Sequence, residues 1–126
     1  MGGERSAVMV LYFYPKDETY GCTQEACRFR DEYERFTDAG AEVVGVSPDG
    51  PQSHRRFAEH NRLPFALLSD ADGELARAYG VGRTLGVLPG RVSYVIDRKG
   101  IVRHVFDSQL RAKKHVDEAL AVVQRL

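Results

Sequence analysis

Five short apolar runs alternate with segments of helical periodicity, and this order limits most strongly how the chain can fold. Short runs rich in Val, Ile, Tyr and Phe, bounded by turn residues, are typical of strands. We predict five strands, at residues 8–13, 42–47, 65–68, 92–96 and 101–106. We predict four helices, at residues 22–38, 52–61, 73–79 and 111–124. The resulting order, β-α-β-α-β-α-β-β-α, predicts an α/β sandwich.

Two turns support these boundaries. Gly40 is suited to end the first long helix, because glycine readily adopts the left-handed conformation found there. Residues 97–100 (Asp-Arg-Lys-Gly) are typical of a hairpin turn between the last two strands.

Length and charge exclude several classes of protein. A chain of 126 residues is long enough for one domain with a single core. Lys and Arg total 18, as do Asp and Glu, so no net charge favours nucleic acid or a membrane surface. No apolar run approaches the roughly 20 residues of a membrane span, and charged residues rather than a signal-cleavage site follow the first run. We therefore expect a cytoplasmic protein without nucleic-acid or membrane partners.

The chain has only two cysteines, Cys22 and Cys27. In a small cytoplasmic protein such a pair indicates redox chemistry or metal binding rather than a structural disulfide. The first strand ends at Pro15, and apolar residues then recur at spacings of three and four, at Ala26, Phe29, Tyr33 and Phe36. Cys22 should therefore lie at a helix N-terminus, where free N–H groups and the helix dipole favour a thiolate. The alternative for Cys22 is a small buried core residue.

Two other sequence patterns give only weak evidence for a binding site. The four histidines, His54, His60, His104 and His115, include no i, i+4 pair, and with the cysteines they lack the short spacings of a zinc site. We expect all four at the surface and no metal. Gly80-Val81-Gly82 with Gly86 lacks the Walker lysine pattern of a phosphate loop, which favours a flexible loop before a strand.

The segment from Tyr14 to Cys27 resembles the peroxiredoxins, most closely the peroxiredoxin Q group, also called bacterioferritin comigratory proteins. The family's P-x-x-x-T-x-x-C motif is present as Pro15, Thr19 and Cys22, and Cys27 matches the group's second cysteine. Further matches follow in the family's order: Phe29-Arg30-Asp31, Val44-Gly45-Val46-Ser47, Leu63-Pro64-Phe65, Leu67-Leu68-Ser69-Asp70, Ala78-Tyr79-Gly80-Val81 and Arg91-Val92-Ser93-Tyr94-Val95-Ile96-Asp97. A lone C-x4-C spacing would be weak evidence, but this ordered set covers nearly the whole chain.

The resemblance implies a single thioredoxin-like domain of the peroxiredoxin type over residues 1–126. Members of the group normally carry an N-terminal β-hairpin and a Gly-Asp-x-Ala-Pro segment before the first strand found here. This sequence enters that strand almost at once, so we expect either a shortened protein or a start set too far downstream. The difference bears on stability and on oligomeric state, for which we expect a monomer or a weak homodimer.

The resemblance also implies roles for the two cysteines and the loop before them. Cys22 would attack the peroxide O–O bond and become a sulfenic acid, which Cys27 would resolve as a disulfide. The hydroxyl of Thr19 would contact both the sulfur and the peroxide, and Pro15 would shield the pocket. The alternatives are an inert helix cysteine for Cys27 and a simple N-cap for Thr19.

Two charged residues complete the site that the resemblance implies. Arg91 matches the arginine before the family's Ser/Thr-Phe-x-x-Asp strand, with Tyr94 in place of the phenylalanine. Its guanidinium would favour the thiolate and stabilise charge on the departing oxygen. Glu25 would orient Arg91 by charge-assisted hydrogen bonds. The alternatives are a surface arginine and a solvated helix glutamate.

Helix geometry adds a constraint on the disulfide. Residues five apart in an unbroken helix differ by about 140° and about 7.5 Å of rise, which separates their Cα atoms by about 8 to 9 Å. A disulfide tolerates only about 7 Å. A bond between Cys22 and Cys27 therefore requires the first helical turn to unwind.

The implied function is a thiol peroxidase for hydrogen peroxide and alkyl hydroperoxides, recycled by thioredoxin or a similar dithiol and needing no metal, haem or flavin. A thioredoxin-like disulfide oxidoreductase is the rival enzyme, but its C-x-x-C pair is absent. The rival from another class is a redox-sensing or disulfide-exchange module with little peroxidase turnover.

Overall fold

The structure, a computed structural model, describes residues 7–81, 83–84 and 88–126. Its strands are β1 (Val8–Phe13), β2 (Ala41–Ser47), β3 (Ala66–Ser69), β4 (Arg83–Thr84), β5 (Leu88–Pro89), β6 (Val92–Ile96) and β7 (Val102–Asp107). Its helices are α1 (Tyr20–Asp31), α2 (Tyr33–Asp38), α3 (Pro51–Asn61), α4 (Glu74–Ala78) and α5 (Ala112–Arg125).

The main sheet has five strands in the order β3-β2-β1-β6-β7. β1 runs parallel to β2 and antiparallel to β6, and the register of the second pair places Phe13 opposite Val92. Because antiparallel neighbours run in opposite directions, the end of β1 lies beside the start of β6. The loop that follows β1 is thus brought next to Arg91, which immediately precedes β6.

Alternate residues of β1 supply two cores, one on each face of the sheet. Val10 and Tyr12 join a cluster with residues of α1, α2, α3 and α5. Leu11 and Phe13 join a second cluster with residues of β6 and of α4. With helices on both faces, the molecule is the α/β sandwich that the strand and helix order predicts.

The five predicted strands are confirmed to within one residue at each end. The predicted turns are also confirmed: Gly40 and Gly100 both have φ of +81°, and Gly100 N–H donates to the carbonyl of Asp97 at 3.0 Å. One helix differs from its prediction, because residues 22–38 form two helices that part at Glu32. The break lets α2 pack against β2 as well as α5.

Sequence patterns did not predict the short antiparallel pair of β4 and β5. Each of these strands has only two residues, which is too few to show a hydrophobic period in the sequence. Gly82 and Gly86 of the predicted flexible loop lie outside the described residues. Among the helices that the structure describes, none is long and apolar enough to cross a membrane.

Candidate active site

Cys22 lies in the first turn of α1, three residues after Thr19, as predicted. The first helical hydrogen bond runs from Thr23 N–H to the carbonyl of Thr19 at 2.8 Å, so the N–H of Cys22 has no partner within the helix. The side chain is buried, at 1% exposure, which agrees with the alternative of a core residue as far as burial goes. Cys22 does belong to the apolar cluster on that face of the sheet, but its sulfur also contacts a charged group, which an ordinary core cysteine would not.

The guanidinium of Arg91 reaches the sulfur of Cys22. Its Nη2 lies 3.4 Å from Sγ, its Nη1 donates to Glu25 Oε1 at 2.6 Å, and its Nε donates to the carbonyl of Gln109 at 3.0 Å. Arg91 is buried, so it is not the surface arginine of the alternative interpretation. The guanidinium thus places a cation within hydrogen-bonding distance of the sulfur.

Gly21 leaves room for the guanidinium of Arg91, and sequence reasoning missed this position. A Cβ placed on Gly21 would lie 3.1 Å from Nη2 of Arg91. Such a distance is shorter than ordinary van der Waals contact. A side chain at position 21 would therefore require the guanidinium to shift by a few tenths of an ångström.

Glu25 is fully buried, which excludes the solvated glutamate of the alternative interpretation. Burial raises the pKa of Glu25 to about 8, against the opposing effect of Arg91. Burial lowers the pKa of Arg91, but the charges of Glu25 and Cys22 outweigh it and raise that pKa overall. Within the described part of the chain, Glu25 Oε2 is buried without a hydrogen-bond partner, 3.8 Å from Nδ1 of His115.

His115 does not lie at the surface, and that prediction was wrong. Its Nε2 is 2.7 Å from the carbonyl of Ser108 and its Nδ1 is 2.7 Å from the hydroxyl of Ser93. A carbonyl only accepts, so Nε2 carries the proton and Ser93 donates to Nδ1. Burial lowers the pKa of His115 to about 4, which keeps the ring neutral. Its position between Ala112 and Ala119 on the apolar stripe of α5 was the available signal.

His54 is the second histidine for which the surface prediction was wrong. Its Nδ1 lies 2.7 Å from Oδ2 of Asp17, a buried residue of the loop before Cys22. Asp17 also accepts hydrogen bonds from Tyr14 at 2.6 Å and from Ser53 at 2.8 Å. This network ties the loop to α3, and sequence reasoning missed it. The other two histidines differ, since His60 is exposed and His104 is half-buried.

Thr19 occupies the N-cap position of α1, but its side chain makes no hydrogen bond to the helix. Its exposed hydroxyl donates instead to the carbonyl of Lys16 at 2.8 Å. No described hydrogen bond joins this hydroxyl to Cys22 Sγ, so its predicted contact with the sulfur stays a prediction. Pro15, two residues beyond the end of β1, is half-buried. The residue before Thr19, Glu18, has φ of +65°, a backbone conformation that only a constrained loop retains.

Cys27 lies on the same unbroken helix as Cys22, and both are free thiols. Its half-buried sulfur donates to Oδ1 of Asn61 at 3.5 Å. The residue also lines a surface cavity of about 330 Å³ together with Tyr20, Arg28 and Lys113. Because α1 is continuous between the cysteines, the condition for the unwinding prediction is met.

The described residues contain no group of three His, Cys, Asp or Glu side chains placed to hold a metal ion. The two cysteine sulfurs contact Arg91 and Asn61 instead. Of the six predicted site residues, the structure brings Cys22, Glu25 and Arg91 into direct contact.

Comparison with known sequences identifies the family of this chain. The model of the AhpC/TSA family matches residues 4–105. A chloroplastic peroxiredoxin Q of Populus jackii is 53% identical over 119 residues, which are 94% of this chain and 56% of the relative. One of Sedum lineare is 51% identical over 94% of this chain and 64% of its own length. The chain thus spans less than two thirds of these relatives, whose chloroplastic location leaves the predicted cytoplasmic one a prediction.

Solved structures match over more of their length. The peroxidoxin BcpB of Mycobacterium tuberculosis has a TM-score of 0.87 and 41% identity, covering 94% of this chain and 79% of that one. The peroxiredoxin Q of Xanthomonas campestris has a TM-score of 0.88 and 34% identity, covering 96% and 80%. These similarities confirm the predicted thioredoxin-like fold of the peroxiredoxin type.

Proposed function

Because the chain belongs to the AhpC/TSA family, in its peroxiredoxin Q group, we propose that it is a thiol-dependent peroxidase. Its substrates would be hydrogen peroxide and alkyl hydroperoxides. The observation that carries this proposal is the guanidinium of Arg91, 3.4 Å from the sulfur of Cys22 in the first turn of a helix. That position combines a cation, the helix dipole and free N–H groups around one sulfur.

In the first step the Cys22 thiolate attacks one peroxide oxygen and the O–O bond breaks. The balance is Cys22–S⁻ + ROOH + H⁺ → Cys22–SOH + ROH. Negative charge develops on the departing oxygen, and Arg91 is placed to stabilise it. Its orientation is supported by Glu25 Oε1 and by the carbonyl of Gln109, so little reorganisation is needed during the reaction.

Thr19 and Pro15 would form the wall against which the peroxide binds. The hydroxyl of Thr19 donates to the carbonyl of Lys16, which leaves its oxygen lone pairs to accept a hydrogen bond from the peroxide O–H. The exposure of this hydroxyl supports the assignment, because a substrate can reach it from solvent.

In the second step Cys27 attacks the sulfenic acid. The balance is Cys22–SOH + Cys27–SH → Cys22–S–S–Cys27 + H₂O. The two residues lie on one continuous helix, where their Cα atoms would be about 8 to 9 Å apart. The disulfide therefore forms only after the first turn of α1 has unwound.

A dithiol reductant of the thioredoxin type would then reduce the disulfide by thiol–disulfide exchange. The half-buried Cys27 and the open cavity beside it support access for such a partner. No further cofactor enters the cycle, since the two sulfurs carry all of the electrons.

Steady-state consumption of peroxide with thioredoxin, thioredoxin reductase and NADPH tests this function. We expect NADPH oxidation that depends on both the peroxide and this protein. Formation of the Cys22–Cys27 disulfide without continued turnover would overturn the proposal in favour of a redox-sensing or disulfide-exchange module. A protein that consumes no peroxide and forms no disulfide would exclude both interpretations.

A further inference from the structure

Asn61, the last residue of α3, connects that helix to α1 through two hydrogen bonds. Its side-chain Oδ1 accepts from Cys27 Sγ at 3.5 Å, and its main-chain carbonyl accepts from Nη1 of Arg30 at 2.8 Å. We call these three residues, Cys27, Arg30 and Asn61, the α1–α3 latch. Both contacts from α1 come from its second half, beyond the turn that carries Cys22.

The orientation of the Asn61 amide is set within its own helix. Its Nδ2 donates to the carbonyl of Phe57 at 3.1 Å, which directs Oδ1 toward Cys27. An amide oxygen only accepts hydrogen bonds, so the sulfur must be the donor. The contact therefore exists with the Cys27 thiol, and a thiolate there would face an oxygen lone pair.

Both features oppose the step that the proposed peroxidase requires of Cys27. The disulfide requires α1 to unwind between the two cysteines, and a Cys27 held against Asn61 has less freedom to move its sulfur toward Cys22. Cys27 must also give up the proton that binds Asn61. The half-burial of Cys27 shows that packing alone does not enclose it.

We propose that Asn61 is a positioning residue that holds Cys27 in the folded helix and thereby sets the rate of disulfide formation. This inference rests on the proposed peroxidase function. It also has a chemical consequence, because a slow resolution exposes the sulfenic acid to a second peroxide. That side reaction is Cys22–SOH + ROOH → Cys22–SO₂H + ROH, and it inactivates the sulfur. Asn61 therefore sets how much peroxide the protein tolerates.

The test compares Asn61→Ala, Asn61→Asp and the wild type after one equivalent of hydrogen peroxide. Samples are quenched with an alkylating agent, and the disulfide is followed by mass. Asn61→Ala removes the acceptor, so we expect disulfide formation about 2- to 10-fold faster, the range for one net hydrogen bond. Asn61→Asp retains an acceptor and adds negative charge against a Cys27 thiolate, so we expect no acceleration. The rate of peroxide attack on Cys22 should be unchanged in both.

Comparing Asn61→Ala with Asn61→Asp distinguishes loss of the Cys27 contact from a general loss of stability in α3. Asn61→Asp also loses the bond to Phe57 and places a negative charge at a helix C-terminus, which destabilises that helix. If loosening of α3 alone were responsible, both variants would accelerate the reaction. Glu59→Ala, an exposed change on the same helix, is the matched control and should behave as wild type.

Two further measurements test the latch independently of the Asn61 side-chain variants' disulfide rates. Arg30→Ala removes the second tie while leaving the Asn61 side chain intact, and it should also accelerate disulfide formation. With excess peroxide, Asn61→Ala should accumulate less sulfinic acid than wild type. A wild-type or slower disulfide rate in Asn61→Ala, or an equal acceleration in Asn61→Asp, would overturn the latch. Failure of the proposed function itself is separately visible, as a wild type that forms no disulfide.

Discussion

Cys22 and Cys27 lie five residues apart on one helix, yet their surroundings differ in kind. Cys22 is buried against a cation that the Glu25 side chain and a main-chain carbonyl hold in place. Cys27 is half-buried, and its one described hydrogen bond goes to a neutral amide. Hydrogen bonds involving charged groups are roughly twice as strong as neutral ones. The surroundings of Cys22 suit a fixed reacting group, and those of Cys27 suit a group that must be released.

The difference extends to the elements behind each sulfur. Arg91 precedes β6 and bonds to Glu25 of α1, and the buried His115 of α5 lies 3.8 Å from the same carboxylate. Three elements thus converge behind Cys22. Cys27 is tied only to the last residue of α3 in the part of the chain that the structure describes.

The sharpest test of the comparison removes each sulfur in turn. Cys22→Ser should abolish peroxide reduction, because the attacking atom is lost. Cys27→Ser should retain one stoichiometric turnover and lose thioredoxin-supported cycling, because the sulfenic acid forms but has no partner. Peroxide consumed per protein, with and without thioredoxin, distinguishes the two variants. Wild-type cycling by Cys27→Ser would remove Cys27 from its resolving role.

Replacing Arg91 should make Cys22 less reactive, and so reduce the difference between the two cysteines. Arg91→Met should slow peroxide attack by about 10- to 1,000-fold, the range for one preorganised charge-stabilising donor. Arg91→Lys is the matched variant, since it keeps the charge but loses the planar fork, and its rate should fall between the other two. The measurement is the second-order rate of Cys22 oxidation by stopped flow. A rate unchanged in Arg91→Met would show that Arg91 does not act on the reacting sulfur.

Oxidation should make the backbone around Cys22 and Cys27 more mobile. Because the disulfide requires unwinding, amide hydrogen exchange in residues 19–29 should accelerate when it forms. We expect a change of at least about tenfold, equivalent to about 1.4 kcal/mol of local protection. Exchange followed by mass spectrometry in both redox states measures it, with α5 as an internal reference. Equal protection of residues 19–29, with the disulfide confirmed by mass, contradicts the unwinding.

A further test concerns the pH dependence of folding stability. Burial raises the pKa of Glu25 to about 8 from an ordinary value of 4.5, so between these values the folded protein binds more protons than the unfolded chain. This carboxyl therefore stabilises the fold most at low pH, and that contribution falls as the pH rises toward 8. Glu25→Gln should lack the fall, whereas the exposed control Glu42→Gln should retain it. The measurement is the free energy of unfolding in urea from pH 5 to pH 8. Parallel pH dependences for wild type and Glu25→Gln would refute the contribution of Glu25.

Local signals were sufficient for the strands and for the start of α1. Apolar runs bounded by turn residues identified all five strands of the main sheet, and the motif from Pro15 to Cys22 identified the loop and first turn. The division of residues 22–38 into α1 and α2 was not predictable, because one apolar period continues through Glu32. Packing against β2, a contact distant in sequence, accompanies the break.

The buried histidines illustrate the same limit. A histidine is polar in any sequence scale, and its burial depends on partners that only the fold supplies. His54 finds Asp17 and His115 finds Ser93, across 37 and 22 residues of sequence. Scattered spacing predicts surface positions, yet two of the four histidines are buried within hydrogen-bond networks.

The amino-acid sequence alone was enough to predict the order of strands and helices, the family, and the placement of Cys22 at a helix N-terminus with Cys27 five residues further along. These follow from local periodicity and short motifs, which act over a few residues. The contacts of Arg91 with Cys22 and Glu25, and of Asn61 with Cys27, depend on how the chain folds in three dimensions. The first contact arises from the antiparallel register of β1 and β6, and the second from α3 packing beside α1. Both join residues 34 or more positions apart, where no local pattern specifies a distance.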